Sequence, residues 1–217
     1  MLEHDFWVYL EEACDALGVR PPDDDIEKLG RYADELGRWN QRINLMRYRD
    51  RRELVVRHLS DGLAVIPHIP RDANRIIDVG AGGGIPGVVI AILRADLEVL
   101  AVEPIHKKHA FLKTVRRTVP VPNLEPVAMR LEDPTLAEDY LGRGFDVAVS
   151  RATFPIADWL AAGRRLVSTE GLVIALEGKE RAELPEGAAR FPYEAEQGRT
   201  RAVIVLAPAT ATPAEHD

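Results

Sequence analysis

Two kinds of apolar spacing divide the chain. Over 5–17, Phe6, Tyr9, Leu10, Ala13 and Leu17 recur at helical intervals and predict one buried face. Gly18 stops that helix, and Pro21-Pro22-Asp23 opens a second with acids in its first turn, which suits the helix dipole. There Ile26, Leu29, Tyr32, Ala33, Leu36, Trp39 and Ile43 keep the three-and-four rhythm. A third helical stretch begins near Asp50, passes through Val55, Val56, Leu59 and Leu63, and ends before Pro67. Beyond it the pattern changes to short apolar runs: 76–79, 97–102, 124–128, 145–149 and 171–176 read as strands, with two more near 191–196 and 201–206. Helices fall between them at 88–93, at 105–119 and around Ile156, Trp159, Leu160 and Leu166.

The stretch that organises the rest is Ile76-Ile77-Asp78-Val79-Gly80-Ala81-Gly82-Gly83-Gly84-Ile85-Pro86-Gly87. A run with no alternation ends at four glycines in five positions, where a backbone can turn sharply and approach a ligand. Pro86 suits the first turn of the helix that follows. Strand, glycine turn and helix predict a Rossmann-like α/β fold: a mostly parallel seven-stranded sheet flanked by helices, with an N-terminal helical extension. The expected division is a helical cap at 1–70 packed on the sheet, a nucleotide-type domain at 71–207 and a disordered tail at 208–217.

Gly82, Gly84 and Gly87 fit the dinucleotide pattern G-x-G-x-x-G, a weak signal in so glycine-rich a turn. Asp78, Gly80, Gly82 and Gly84 also fit acid-x-G-x-G-x-G, which resembles motif I of class I S-adenosylmethionine (AdoMet) methyltransferases. The acid separates the two, because it repels a pyrophosphate and attracts the cationic amino group of AdoMet. Glu103 closes the second strand 23 positions after Gly80, where doubly wound folds place an acid on ribose hydroxyls.

At 217 residues, 46% of them hydrophobic, the chain fills one sizeable core and leaves too little for a dehydrogenase's substrate domain. A single cysteine, Cys14, excludes a disulfide framework and a thiolate zinc site. No apolar stretch is long enough for a bilayer and the N-terminus lacks a basic start, so a cytoplasmic protein is expected, with no membrane partner. The net charge of −7 argues against nucleic-acid binding by bulk charge. Local charge differs. Arg38, Arg42, Arg47, Arg49, Arg51, Arg52 and Arg57 meet only Asp50 and Glu53 within their own stretch, and Asn40, Asn44, Tyr48 and His58 lie among them, a composition suited to RNA. The helix at 105–119 carries Lys107, Lys108, Lys113, Arg116 and Arg117 without an acid. His106 and His109 in it lack a third ligand, and no metal is expected.

Taken together, Trp39-Asn40, Asn44-Leu45, Arg49-Asp50, Arg57-His58-Leu59 and Asp61, the glycine turn with its Pro86-Gly87, Lys107-Lys108 with Ala110-Phe111-Leu112, and Ser150-Arg151-Ala152 resemble the RsmG (GidB) family over roughly 30–180. The resemblance implies methyl transfer from AdoMet to N7 of a guanine in the 530 loop of bacterial 16S rRNA. It implies cofactor contacts by Gly80, Ile85 and Glu103, Leu131 and Glu132 beside the adenine, and Arg151 beside both cofactor and base. Asp78, Gly82 and Gly84 complete the expected cofactor set, and Arg47, Arg49, Arg57, His58, Lys107 and Lys108 the expected RNA set. The partner would be 16S rRNA or the small ribosomal subunit, met by a monomer. Arg151 is expected to orient the base; the alternative is a structural ion pair with an acid such as Asp61. Three positions depart from the family: Met46 for Thr, Gly62 for Ser, and Glu177 for Lys, with Lys179 a possible stand-in. Glu177 keeps open a paralogue with a non-rRNA substrate, or a non-catalytic AdoMet-binding module.

Overall fold

The computed structural model describes residues 2–133, 136, 140, 142, 144–151, 153–178, 183–196 and 199–208. Helices α1 (Leu2–Ala16) and α2 (Asp23–Asn40) form where the apolar stripes predict them. The third stretch is more broken than its pattern implies: α3 (Arg51–Leu54), a π turn (Val55–Leu59), α4 (Ser60–Val65) and a 3-10 turn (Ile66–His68) follow one another. Asp50 starts the run, its carboxylate accepting the Glu53 N–H at 2.7 Å. At Ser60 both the backbone N–H and the hydroxyl donate to the Val55 carbonyl five residues back, the spacing of a π turn.

The α/β part runs β1 (Arg75–Val79), α5 (Gly87–Leu93), β2 (Glu98–Val102), α6 (His106–Thr118), β3 (Leu124–Val127), β4 (Phe145–Arg151), α7 (Ile156–Gly163), β5 (Val167–Glu177), β6 (Ala188–Glu196) and β7 (Arg199–Leu206). They form one seven-stranded sheet in the order β3-β2-β1-β4-β5-β7-β6. Strands β1 to β5 pair in parallel, and β7 is antiparallel to both of its neighbours. Strand order reverses between β1 and β4, so a ligand crevice belongs over their carboxyl ends. Ser150 joins those ends: its buried hydroxyl donates to the Val79 carbonyl at 2.7 Å.

Both faces of the sheet are covered. Ile76, Val99, Val147 and Ile174 face a layer built by α1 to α6, whereas Ile77, Leu100, Ala148 and Val173 face Trp159 and Leu160 of α7. Adjacent residues of one strand thus enter different layers, which is why these strands carry unbroken apolar runs. The N-terminal helices share the first layer with the sheet and sit directly behind the glycine turn.

Gly62 is explained by this packing. A Cβ there would lie 2.8 Å from the Cβ of Val89, so α4 and α5 meet at a distance that leaves a serine no room. Gly62→Ser is expected to destabilise the protein by about 1–3 kcal/mol, read by thermal or urea denaturation. An unchanged midpoint would contradict this packing.

Candidate active site

The turn after β1 is held from three sides. Gly80 adopts φ +74, a left-handed conformation that side chains strain against, and Gly80 and Ala81 both donate to the Val102 carbonyl at the end of β2, at 2.9 and 3.1 Å. From behind, the fully buried Tyr32 of α2 donates its hydroxyl to the Gly83 carbonyl, and the methyl of Met46 lies against Gly83. Met46 therefore serves the turn through its side-chain length. From beneath, Asp78 Oδ2 accepts the Gly87 N–H at 2.9 Å, and a Cβ on Gly87 would come within 2.5 Å of that oxygen. Asp78 thus fastens the start of α5 to the end of β1.

Asp78 is fully buried, and among the described residues its other oxygen, Oδ1, has no hydrogen-bond partner. Burial raises its pKa to about 7, against the lowering pull of the Gly87 N–H and Arg151; the Glu103 carboxylate adds to the rise. An aspartate whose folded pKa exceeds its unfolded value of 3.8 costs stability as pH climbs between the two, with the full cost present above about 7. Between about pH 5 and pH 8 the wild type is expected to lose a few kcal/mol relative to Asp78→Asn. Thermal melts of both across that range check this, and a constant difference would contradict it.

Glu103, at the tip of β2, is also buried. Its Oε2 accepts the Gly82 N–H and its Oε1 the Ile105 N–H, each at 2.8 Å. Two of the four lone-pair directions of the carboxylate are thereby used and two remain for hydroxyl donors. Leu131, half-buried against the α7 side of the core, and the exposed Glu132 lie in the loop after β3. Ile85 is buried, so only its backbone is offered to a ligand.

Arg151 ends β4 and makes the ion pair considered as its alternative role: Nη1 lies 2.8 Å from Asp61 Oδ2. Nη1 also donates to His58 Nδ1 at 3.1 Å, and His58 Nε2 donates to the Arg47 carbonyl at 3.0 Å. That arrangement requires a neutral imidazole, and burial, then Arg151, lowers the His58 pKa to about 4. Asp61 is the hub of the cluster. Its Oδ1 accepts the Tyr193 hydroxyl of β6 at 2.6 Å and Arg201 Nη1 of β7 at 2.5 Å. These groups line a cleft of about 250 Å³ together with Arg57, Leu176, Glu177 and Gly178.

The arginine-rich stretch is less open than its sequence implies. Helix α2 supplies two more acids: Asp34 pairs with Arg51, and Glu35 lies 3.5 Å from Arg38. Buried Glu53 holds Arg49 and Arg57, and the Arg49 N–H and both guanidinium groups pull its pKa down to about 2. Arg51 and Arg52 also cap the rings of Phe6 and Tyr9. Arg42 and Arg47 remain exposed, and among the described residues neither meets a carboxylate. Lys107 and Lys108 lie in the first turn of α6, immediately past Glu103. Glu177 is answered by Arg190 of β6, in a two-point pair at 2.8 and 2.9 Å. Lys179 and Ala152 lie outside the described residues, as does 209–217 of the expected tail. Among the described residues no group of three metal-ligating side chains occurs, and no helix is long and apolar enough to cross a membrane.

Sequence patterns do not single out Tyr193 and Arg201, which reach the site from the far strands, or the hydroxyl of Tyr32, hidden in an apolar stripe. One signal was available: Arg49, Glu53 and Arg57 are spaced four apart, the interval of paired charges on one helix face.

These residues suit AdoMet. The Glu103 carboxylate beside the turn, joined by the Asp78 carboxylate once pH exceeds its raised pKa of about 7, makes the strand tip favourable to a cation and hostile to a pyrophosphate. Among solved structures, a SAM dependent methyltransferase from Aquifex aeolicus matches at TM-score 0.52 with 12% identity, covering 71% of this chain and 93% of that one. A human methyltransferase 10 domain containing protein matches at 0.58 with 12% identity, covering 83% and 96%. Strand order and turn define the Rossmann-like fold of the class I AdoMet-dependent methyltransferases. The family model of GidB, rRNA small subunit methyltransferase G, matches residues 25–203. The ribosomal RNA small subunit methyltransferase G of Bordetella avium is 35% identical over 183 residues, 82% of this chain and 79% of the relative. Its counterpart in Burkholderia pseudomallei is 36% identical over 185 residues, 82% and 79%. The chain belongs to the rRNA small subunit methyltransferase G (GidB) family.

Proposed function

We propose that this chain transfers a methyl group from AdoMet to N7 of a guanine in the 530 loop of bacterial 16S rRNA, acting as a cytoplasmic monomer. The observation that carries this reading is the meeting, over the carboxyl ends of β1 and β4, of a cation-favouring glycine turn with an arginine-lined cleft. Family membership supports the RNA substrate.

When bound, AdoMet supplies an electrophilic methyl on a positively charged sulfur. Guanine N7 presents a lone pair, so no side chain has to remove a proton to create the nucleophile. That agrees with a site whose histidine is neutral and engaged at both nitrogens. The protein's work is to hold N7 in line with the methyl and to accommodate charge that moves toward the base. In this reading Gly80, Gly82, Gly84 and Ile85 offer backbone to the cofactor, Asp78 orders that backbone from beneath, Glu103 takes the ribose hydroxyls, and Leu131 and Glu132 flank the adenine. Arg151 orients the base from its fixed place on Asp61 and His58. Arg47, Arg49, Arg57, His58, Lys107 and Lys108 face or support the RNA. The residue ranges 1–70 and 71–207 act as a cap and a cofactor domain that share a core.

A different substrate was suggested by the negative charge of Glu177. Arg190 neutralises it, so that charge does not oppose RNA. Glu103→Ala is expected to weaken AdoMet binding about 10- to 100-fold, since one or two hydrogen bonds to a charged group are lost. Titration calorimetry reads the change, and an unaltered affinity would remove Glu103 from the site. The function itself is tested with labelled AdoMet and small subunits lacking the modification. Label is expected at N7 of one guanine in the 530 loop; label elsewhere, or none, contradicts the proposal.

A further inference from the structure

Helix α6 holds a surface that the cofactor site does not use. Its thirteen residues include five Lys or Arg and no Asp or Glu, in a chain whose net charge is −7. Local stability accounts for only part of this. Arg116 and Arg117 stand in the last turn, where the helix dipole favours cations, but Lys107 and Lys108 stand in the first, where it disfavours them. Lys113 stands three and four positions before Arg116 and Arg117, spacings at which like charges repel. Among the described residues, none of the five cations pairs with a carboxylate within 4 Å. Phe111, Leu112 and Val115 form the buried side, so Lys113, Arg116 and Arg117 point outward. With Pro120 and Pro122 these three line a cleft of about 440 Å³ that contains no acid.

The position of α6 gives the stripe a direction. Its first residues follow Glu103, whose carboxylate binds the Ile105 N–H, so the helix starts beside the cofactor turn. It then runs away from that turn for about 20 Å, at about 1.5 Å per residue, toward the edge strand β3. Lys107 and Lys108 stand at the near end, and Lys113, Arg116 and Arg117 at the far end.

We propose that the outer face of α6 is a second RNA-contacting surface, on which Lys113, Arg116 and Arg117 grip backbone phosphates of ribosomal RNA at a distance from the methylated base. This rests on the rRNA reading above and adds to it a track that positions the substrate without reading sequence. Phosphate contacts of this kind fix register and make binding depend on salt.

The test compares the wild type with a triple variant, Lys113→Gln, Arg116→Gln and Arg117→Gln, and with a control of equal charge change, Arg20→Gln, Lys28→Gln and Arg31→Gln. Each control cation already pairs with an acid. Binding to unmethylated small subunits is measured across salt concentrations, alongside AdoMet calorimetry and methyl transfer at saturating subunit. For the α6 variant, the expected result is at least about tenfold weaker subunit binding at moderate salt and a log–log salt slope reduced by about 2–3. AdoMet affinity and the saturated rate should be unchanged, and the control should match the wild type. Equal weakening in the control, or an unchanged slope in the α6 variant, overturns the proposal. If the wild type neither binds nor methylates subunits, the rRNA reading itself fails, an outcome distinct from a wild type that methylates normally beside an unaffected α6 variant.

Discussion

Gly80→Val is expected to abolish measurable AdoMet binding. Position 80 has φ +74, and a β-branched side chain held there carries strain on the order of 1–3 kcal/mol. Space is also lacking. A Cβ at Gly80 would lie 2.7 Å from Thr153 Cγ2 and 3.0 Å from Thr153 Cβ, so the turn or the segment after β4 must move. Either displacement disturbs the N–H groups that Gly80 and Ala81 direct to the Val102 carbonyl, and with them the line of the cofactor cradle. Calorimetry on protein shown to be folded by circular dichroism reads the effect. Gly80→Ala with Thr153→Ala removes the closest contacts, leaves a tight Cβ–Cβ approach of 3.0 Å together with the backbone strain, and should recover part of the affinity. Wild-type affinity in Gly80→Val would contradict the placement of the turn.

Asp61→Ala is expected to cost about 3–5 kcal/mol and to lower the melting temperature by about 6–20 °C. Asp61 is 4% exposed, and its carboxylate takes hydrogen bonds from Arg151, Arg201 and Tyr193. Its removal leaves two guanidinium groups without their shared counter-charge in a partly buried cleft. Arg151 then loses the contact that fixes its direction, so methyl transfer should fall by more than AdoMet affinity does. Asp61→Asn keeps the shape and some of the hydrogen bonds, and should lie between the two. A loss of AdoMet affinity equal to the loss of rate would place Asp61 in the cofactor site instead.

Much of the fold was legible because its signals are local. The apolar run of β1, the four glycines and Pro86 lie within a dozen residues, and their physical consequence, a turn at a strand tip, needs no distant partner. The two helical stripes were equally plain. Less was visible where distant segments decide the outcome. The apolar run predicts the fifth strand only over 171–176, yet β5 begins at Val167 and takes in the polar Ser168, Thr169 and Glu170. The π turn leaves no mark in the spacing of Val55, Val56 and Leu59. Arginines 38 to 57 read as an open basic surface because the acids that answer two of them precede the stretch: Asp34 reaches Arg51 from α2, and Glu35 stands three residues before Arg38 on the same helix. Glu177 read as a reversal of charge because its partner, Arg190, belongs to the next strand. Tyr193 and Arg201 gave no cue at all, as an isolated tyrosine or arginine in a strand resembles a surface residue until the sheet brings it to Asp61.

The central claim is that the tip of β1 holds a sulfonium cofactor, with Asp78 beneath and Glu103 beside it. Titration calorimetry of the wild type with AdoMet, with its demethylated product and with a nicotinamide dinucleotide tests this most directly. Saturable binding of the first two, lost in Gly80→Val, and no binding of the third is the predicted result. Binding of the dinucleotide without AdoMet or its product would contradict it.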